Sequence, residues 1–232
     1  MPLPIRRIHL ELPPVSFREV MRYARAGAQP EERLLQEAER LAQETAPLLT
    51  GRVCYGETEV TLAPPRVECG ECLAMESRDL CRNLQGCVRV VLFAATIGLE
   101  LDRCIAREGR LSPLRGLLLQ ALGAERIEAL CDAFCHRMAA EMASRGLYPR
   151  PRFSPGYGDL PLETQRPLLE LLDASRQIGV GLNQSLLMSP SKSVTAFQGY
   201  HPEPFCPRSG EEASPGCDGC SRRETCPYRR PS

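Results

Sequence analysis

With 232 residues the chain has room for one domain with a sizeable core plus a small appendage, and its 29 basic and 29 acidic residues cancel to zero net charge. That balance leaves no electrostatic footprint for nucleic acid, and a chain with few aromatics and no Trp makes a poor stacking platform for single strands. No run is apolar and long enough for a signal peptide or a membrane span, so the sequence predicts a soluble, cytoplasmic protein with no membrane partner.

A short strand is expected over residues 8–12, and then Ser16 is a good N-cap for a helix ending near Gly27. A second helix begins near Pro30, with Leu34, Leu35, Ala38, Leu41 and Ala42 at three- and four-residue steps on one apolar face. Its acidic face reads as solvated surface. Residues 1–50 are therefore expected to pack as a helical segment on a domain spanning 51–200.

Within that domain, residues 52–62 carry the β-formers Val53, Tyr55, Val60 and Leu62. The C-x2-C pair Cys69 and Cys72, followed by Cys81 and Cys87, has the spacing of a metal site or a redox pair, or simply of isolated thiols. Residues 88–96 are β-branched and almost continuously apolar, as in a central covered strand. A helix to about Gly109 follows. The turn between them lacks the Gly-Lys-Ser/Thr of a phosphate loop.

Ser112-Pro113 then pairs an N-cap with proline at the first helical position. The helix it opens runs to about Arg145, with an apolar face from Leu117 to Met142, and should be the spine of the domain. Glu128 and Asp132 lie one turn apart on it and share a face.

After Pro149 and Pro151 comes a stiff stretch, residues 152–157, with Pro155 inside it. Arg152 offers a planar fork for a carboxylate, Gly156 lets a ligand approach the main chain, and Tyr157 is a rigid ring with a polar tip. Such a loop suits a small zwitterion. A helix is expected from Arg166-Pro167 to Gly179, a strand over 182–188, a turn over 189–192 and a returning strand over 193–197. The fold class is α+β: a twisted, mainly antiparallel sheet from the strands at Arg52, Val88, Leu182 and Ser193, covered by the long helix and its neighbours.

Residues 201–232 change character, with proline, glycine, serine and charge but little apolar periodicity. They contain Cys206, Cys217, Cys220 and Cys226, the last followed by Pro227. Twelve cysteines without a secretory signal are not a disulfide framework. Four soft ligands in such a tail suit an iron–sulfur cluster of the [4Fe-4S] type, with zinc as the alternative. The arginines around them could dock an acidic electron-transfer protein.

Arg152-x3-Gly156-Tyr157, a following helix, and Pro190-Ser191-Lys192-Ser193-Val194 together resemble the activation domain of cobalamin-dependent methionine synthase. The match is good over about residues 85–200 and rests on order of elements before that. The resemblance implies binding of S-adenosylmethionine by Arg152, Gly156 and Tyr157. Asp132 or Glu128 would hold the ligand's amino group, and Ser193 and Lys192 could touch it. Tyr157 would stand beside the sulfonium. It implies a free-standing reactivation component of a methyltransferase, with the cobalamin carried by a corrinoid-binding methionine synthase subunit, since no corrinoid-binding His motif is present. An activator of another corrinoid methyltransferase, and a zinc-stapled interaction module without catalysis, are the alternative readings.

Overall fold

The computed structural model describes residues 3–27 and 29–204. β1 (Arg6–Leu10) leads into α1 (Phe17–Tyr23), whose cap Ser16 accepts a hydrogen bond from the Glu19 amide at 3.4 Å. α2 (Glu32–Thr45) presents Ala38, Leu41 and Ala42 inward, as their spacing predicts. The long β2 (Gly51–Ala63) follows, then β3 (Arg66–Cys69), β4 (Leu73–Glu76), α3 (Arg78–Asn83) and β5 (Arg89–Thr96). α4 (Glu100–Leu111) turns at Ser112 into α5 (Pro113–Ala143), where the Ser112 hydroxyl accepts from the Arg115 amide at 3.4 Å. The chain then passes through β6 (Tyr148–Pro149), α6 (Gln165–Leu171), α7 (Ala174–Ile178), β7 (Gly181–Leu182), β8 (Met188–Ser189) and β9 (Ser193–His201).

Seven strands make one antiparallel sheet in the order β4-β3-β2-β5-β9-β6, with β1 also paired to β2. β5 is its centre, and Val90 to Ala95 are fully buried because helices cover both faces. Alternation divides the strand between two cores. Val91, Phe93 and Ala95 face α5 together with Tyr55 and Ala196, whereas Val90, Leu92 and Ala94 face Leu80, Leu168 and Ile178 of α3, α6 and α7. On the α5 side Phe134 tilts against Phe93 and Tyr55, with ring centres 4.8 and 5.2 Å away. Truncating such a ring to Ala would cost about 3–5 kcal/mol, so the position of α5 over the sheet is strongly specified.

Three local expectations need correction. The segment 182–188 is not a strand of the main sheet: β7 and β8 form their own two-residue ladder. Asn183 closes the loop between them, its amide donating to the Leu187 carbonyl at 3.0 Å and its Oδ1 accepting from the Leu187 amide at 2.9 Å. The helix expected up to Gly179 is two helices, broken at Asp173 in a left-handed conformation (φ 47°). Finally, Cys69 and Cys72 flank the tight turn joining β3 to β4, a hairpin not read from the sequence.

Candidate ligand site at the arginine loop

Residues 150–153 extend the sheet edge beside β9. The Arg150 amide donates to the Gly199 carbonyl, and Phe153 and Phe197 exchange both backbone bonds, each at 2.8 Å. Strand-like alternation therefore sends the two neighbours in opposite directions. Phe153 packs on the α3–α6 core, and Arg152 reaches the α5 layer.

Beyond Phe153 the chain is tightly turned. Tyr157 donates to the Ser154 carbonyl at 3.1 Å, and Gly156 donates to the Leu160 carbonyl at 2.9 Å, so its amide is already engaged. The far end of the loop is latched to α3. The Asp159 carboxylate accepts from the Ser77 hydroxyl, from the Arg78 amide at 2.9 Å and from the Asp79 amide at 3.1 Å. The Asp79 carboxylate accepts the Asp159 amide in return, at 3.1 Å. The Ser77 hydroxyl, joined by the two amides, holds the Asp159 carboxyl below the usual carboxylate range against a smaller opposing effect of desolvation. Asn83 adds a tie from the same helix, donating to the Pro151 carbonyl at 3.1 Å.

The structure brings Arg152, Glu128 and Asp132 together. One guanidinium nitrogen pairs with Asp132 and the other with Glu128. Burial opposes the charge on Arg152, but Asp132 and Glu128 outweigh it and hold the group charged more firmly than usual. Beneath it lies Cys135, whose thiol is pushed up to about 11 by burial despite the arginine. From α1, Tyr23 faces the same cluster, its hydroxyl pushed up by burial and then by the charge of Glu128. One cation between two carboxylates leaves the cluster with a net negative charge. Tyr157 is 63% exposed, with its ring edge-on to Phe153 at 6.4 Å.

Ser193 is placed elsewhere. It begins β9, four residues before Phe197, or roughly 13 Å along the strand from the bridge to Phe153. Its buried hydroxyl lies 2.7 Å from the Pro190 carbonyl and 2.9 Å from Thr96 Oγ1. Lys192 leans on Gln120, Nζ to Oε1 2.5 Å, with burial pushing its pKa down. The turn after β5 and the Pro190–Val194 segment are thus joined to one another rather than to Arg152.

The latch of Ser77, Asp79 and Asp159, and the approach of Tyr23, were not read from the sequence. Ser77 is legible as an N-cap, but nothing in spacing announces a partner 82 residues away. A groove of about 700 Å³ lies between β1, α2 and α5, lined by Leu10, Pro13, Thr45, Leu49, Leu122 and Arg126. It does not include the loop. Among the described residues no group of three or more His, Cys, Asp or Glu could hold a metal ion. Cys206, Cys217, Cys220 and Cys226 lie outside the described residues.

Residues 89–205, just over half the chain, match the family model of the vitamin B12-dependent methionine synthase activation domain. The chain belongs to that family. The matched stretch carries β5, α5, the arginine loop and β9. The activation-domain fold is also found in a crystal structure of the MetH reactivation domain bound to AdoHcy. That structure superimposes with a TM-score of 0.60 at 18% identity, covering 88% of this chain and 81% of the other. No curated protein matches the chain. No helix among the described residues is long and apolar enough to cross a membrane.

Proposed function

We propose that this activation-domain protein binds S-adenosylmethionine at the arginine loop and supports reductive methylation of a corrinoid held by a methionine synthase partner. The observation that carries the reading is the cluster of Arg152, Glu128 and Asp132. S-adenosylmethionine has an α-carboxylate, an α-ammonium and a sulfonium, one net positive charge, and the cluster has one net negative charge with groups of both signs. Arg152 takes the carboxylate as a bidentate pair, and Asp132 or Glu128 takes the ammonium. The exposed ring of Tyr157 stands beside the sulfonium, where its face attracts a cation. The main chain around Gly156 faces the adenosine. The protein's contribution is to hold the methyl carbon in line with the metal of an approaching corrinoid, a gain in proximity rather than covalent chemistry.

The cobalamin comes with the partner. Four thiolates at Cys206, Cys217, Cys220 and Cys226 suit a [4Fe-4S] cluster, which would supply the single electron the reduction needs; only their spacing supports this part. A colourless, zinc-loaded protein after anaerobic purification would remove the cluster. The ligand reading is tested by calorimetry with S-adenosylmethionine on wild type and Arg152→Ala. Loss of the fork should weaken binding at least about 30-fold, equivalent to ~2 kcal/mol, and unchanged affinity refutes the site.

A further inference from the structure

The arginine that is to hold the ligand's carboxylate is already occupied. Its two terminal nitrogens, the pair that would grip a carboxylate from the front, each serve a side chain of α5. A third carboxylate cannot simply be added, because three anions around one guanidinium repel each other at close range. The two resident carboxylates are not equivalent. Each accepts through one oxygen, but Glu128 is 34% exposed whereas Asp132 is 53% exposed and the freer to leave.

Resting on the proposed binding of S-adenosylmethionine, we infer that the ligand enters by partner exchange: its α-carboxylate displaces Asp132 from Arg152, and the displaced Asp132 takes the ligand's α-ammonium while Glu128 stays. Every charge has a partner before and after the exchange. The site is therefore selective for ligands carrying both groups, because neither half of the exchange is favourable alone. A carboxylate without an ammonium strands Asp132 beside a like charge. An ammonium without a carboxylate must share an Asp132 that Arg152 already holds. Two independent subsites would behave differently, each group adding its own affinity.

The test is a calorimetric series on the full chain with three probes: S-adenosylmethionine, its analogue lacking the α-amino group, and 5′-dimethylsulfonio-5′-deoxyadenosine, which keeps the sulfonium and lacks both groups. On wild type the deaminated analogue should bind no tighter than the dimethylsulfonio compound, and S-adenosylmethionine much tighter than either. In Asp132→Asn the displaced group carries no charge. S-adenosylmethionine should weaken at least about fivefold, while the deaminated analogue tightens by a similar factor. A variant that was merely damaged would weaken both. Tighter binding of the deaminated analogue than of the dimethylsulfonio compound by wild type, or parallel weakening in Asp132→Asn, overturns the exchange. Should Asp132→Asn not fold, the wild-type ranking decides alone. Wild type that ignores S-adenosylmethionine altogether removes the binding site itself, an outcome distinct from either.

Discussion

Gly156 and Gly158 sit two residues apart in the arginine loop, both at positive φ, and the structure predicts that replacing them by Ala has unequal consequences. Gly156 has φ +89°, and a Cβ there would meet only Leu162 Cδ1, at 3.1 Å. Leu162 is 41% exposed and its methyl can turn aside, so the cost is that of the backbone conformation, about 1–2 kcal/mol. At Gly158, with φ +53°, a Cβ would stand 2.2 Å from Asp79 Oδ2 and 2.9 Å from the Asp79 Cβ. Asp79 cannot withdraw without giving up the Asp159 amide it accepts at 3.1 Å. To the same backbone cost this adds a charge-assisted hydrogen bond, discounted for partial exposure to about 1 kcal/mol, and the distortion of the latch. Gly158→Ala should therefore lose about 3 kcal/mol and Gly156→Ala about half of that. Urea unfolding of the two variants with equal slopes measures the difference directly. A Gly156→Ala loss equal to or above that of Gly158→Ala would refute the idea that the α3 latch, rather than the turn itself, sets the loop.

The latch also makes a pH prediction. A carboxyl held below its ordinary value stabilises the folded state above the unfolded pKa and loses that contribution as pH falls through the folded one. The stability gap between wild type and Asp159→Asn should thus be constant from neutral pH down to about 5 and close below about pH 4, and a gap that widens on acidification would contradict the assignment. Among the described thiols, Cys72 should be alkylated first at neutral pH. It is half-buried, whereas burial pushes Cys54 and Cys69 up to about 12 and Cys87 up to about 11. A timed iodoacetamide series read by peptide mass spectrometry checks this, and early labelling of Cys69 would count against the buried hairpin.

The parts of the fold legible in the sequence are those where one strong period decides the structure. Within the expected strand 88–96, residues 90–95 are apolar on both faces, and both faces are covered, while Val88 at its start is 45% exposed. Ser112-Pro113 opens a helix whose inward positions from Leu118 to Met142 follow 3.6-residue spacing, although Leu117, expected on that face, is 50% exposed. Legibility fails where short-range chemistry competes. The cysteines at 69 and 72 drew attention to metal or redox chemistry, yet Cys69 is fully buried opposite Leu73 and the pair brackets a turn. Around 182–188 apolar residues suggested a strand, and a single Asn closing its own loop prevailed. For the site, spacing put Glu128 and Asp132 on one face of α5. That they hold Arg152, and not only a ligand, depends on a contact 20 and 24 residues away in sequence that no local pattern encodes.

The loop's anchoring bears on how such a site works. Phe153 fixes it to β9 and to the core below the sheet, Asp159 fixes it to α3, and Arg152 crosses to α5 above the sheet. Only the third of these ties is made by groups that a zwitterion can replace one for one. The first is backbone pairing with a packed ring, and the second is a carboxylate held by a hydroxyl and two helix amides, so neither offers a cation for a ligand carboxylate to take over. Residues 152–159 are therefore positioned before any ligand arrives, and the conformational entropy of ordering them is already spent in folding. On the proposed exchange, adjustment on binding would be confined to Asp132, the more exposed of the two carboxylates on Arg152. Under the proposed exchange, such a loop would combine a fixed place for the ligand's methyl group with a gate that opens only to a ligand bringing both charges.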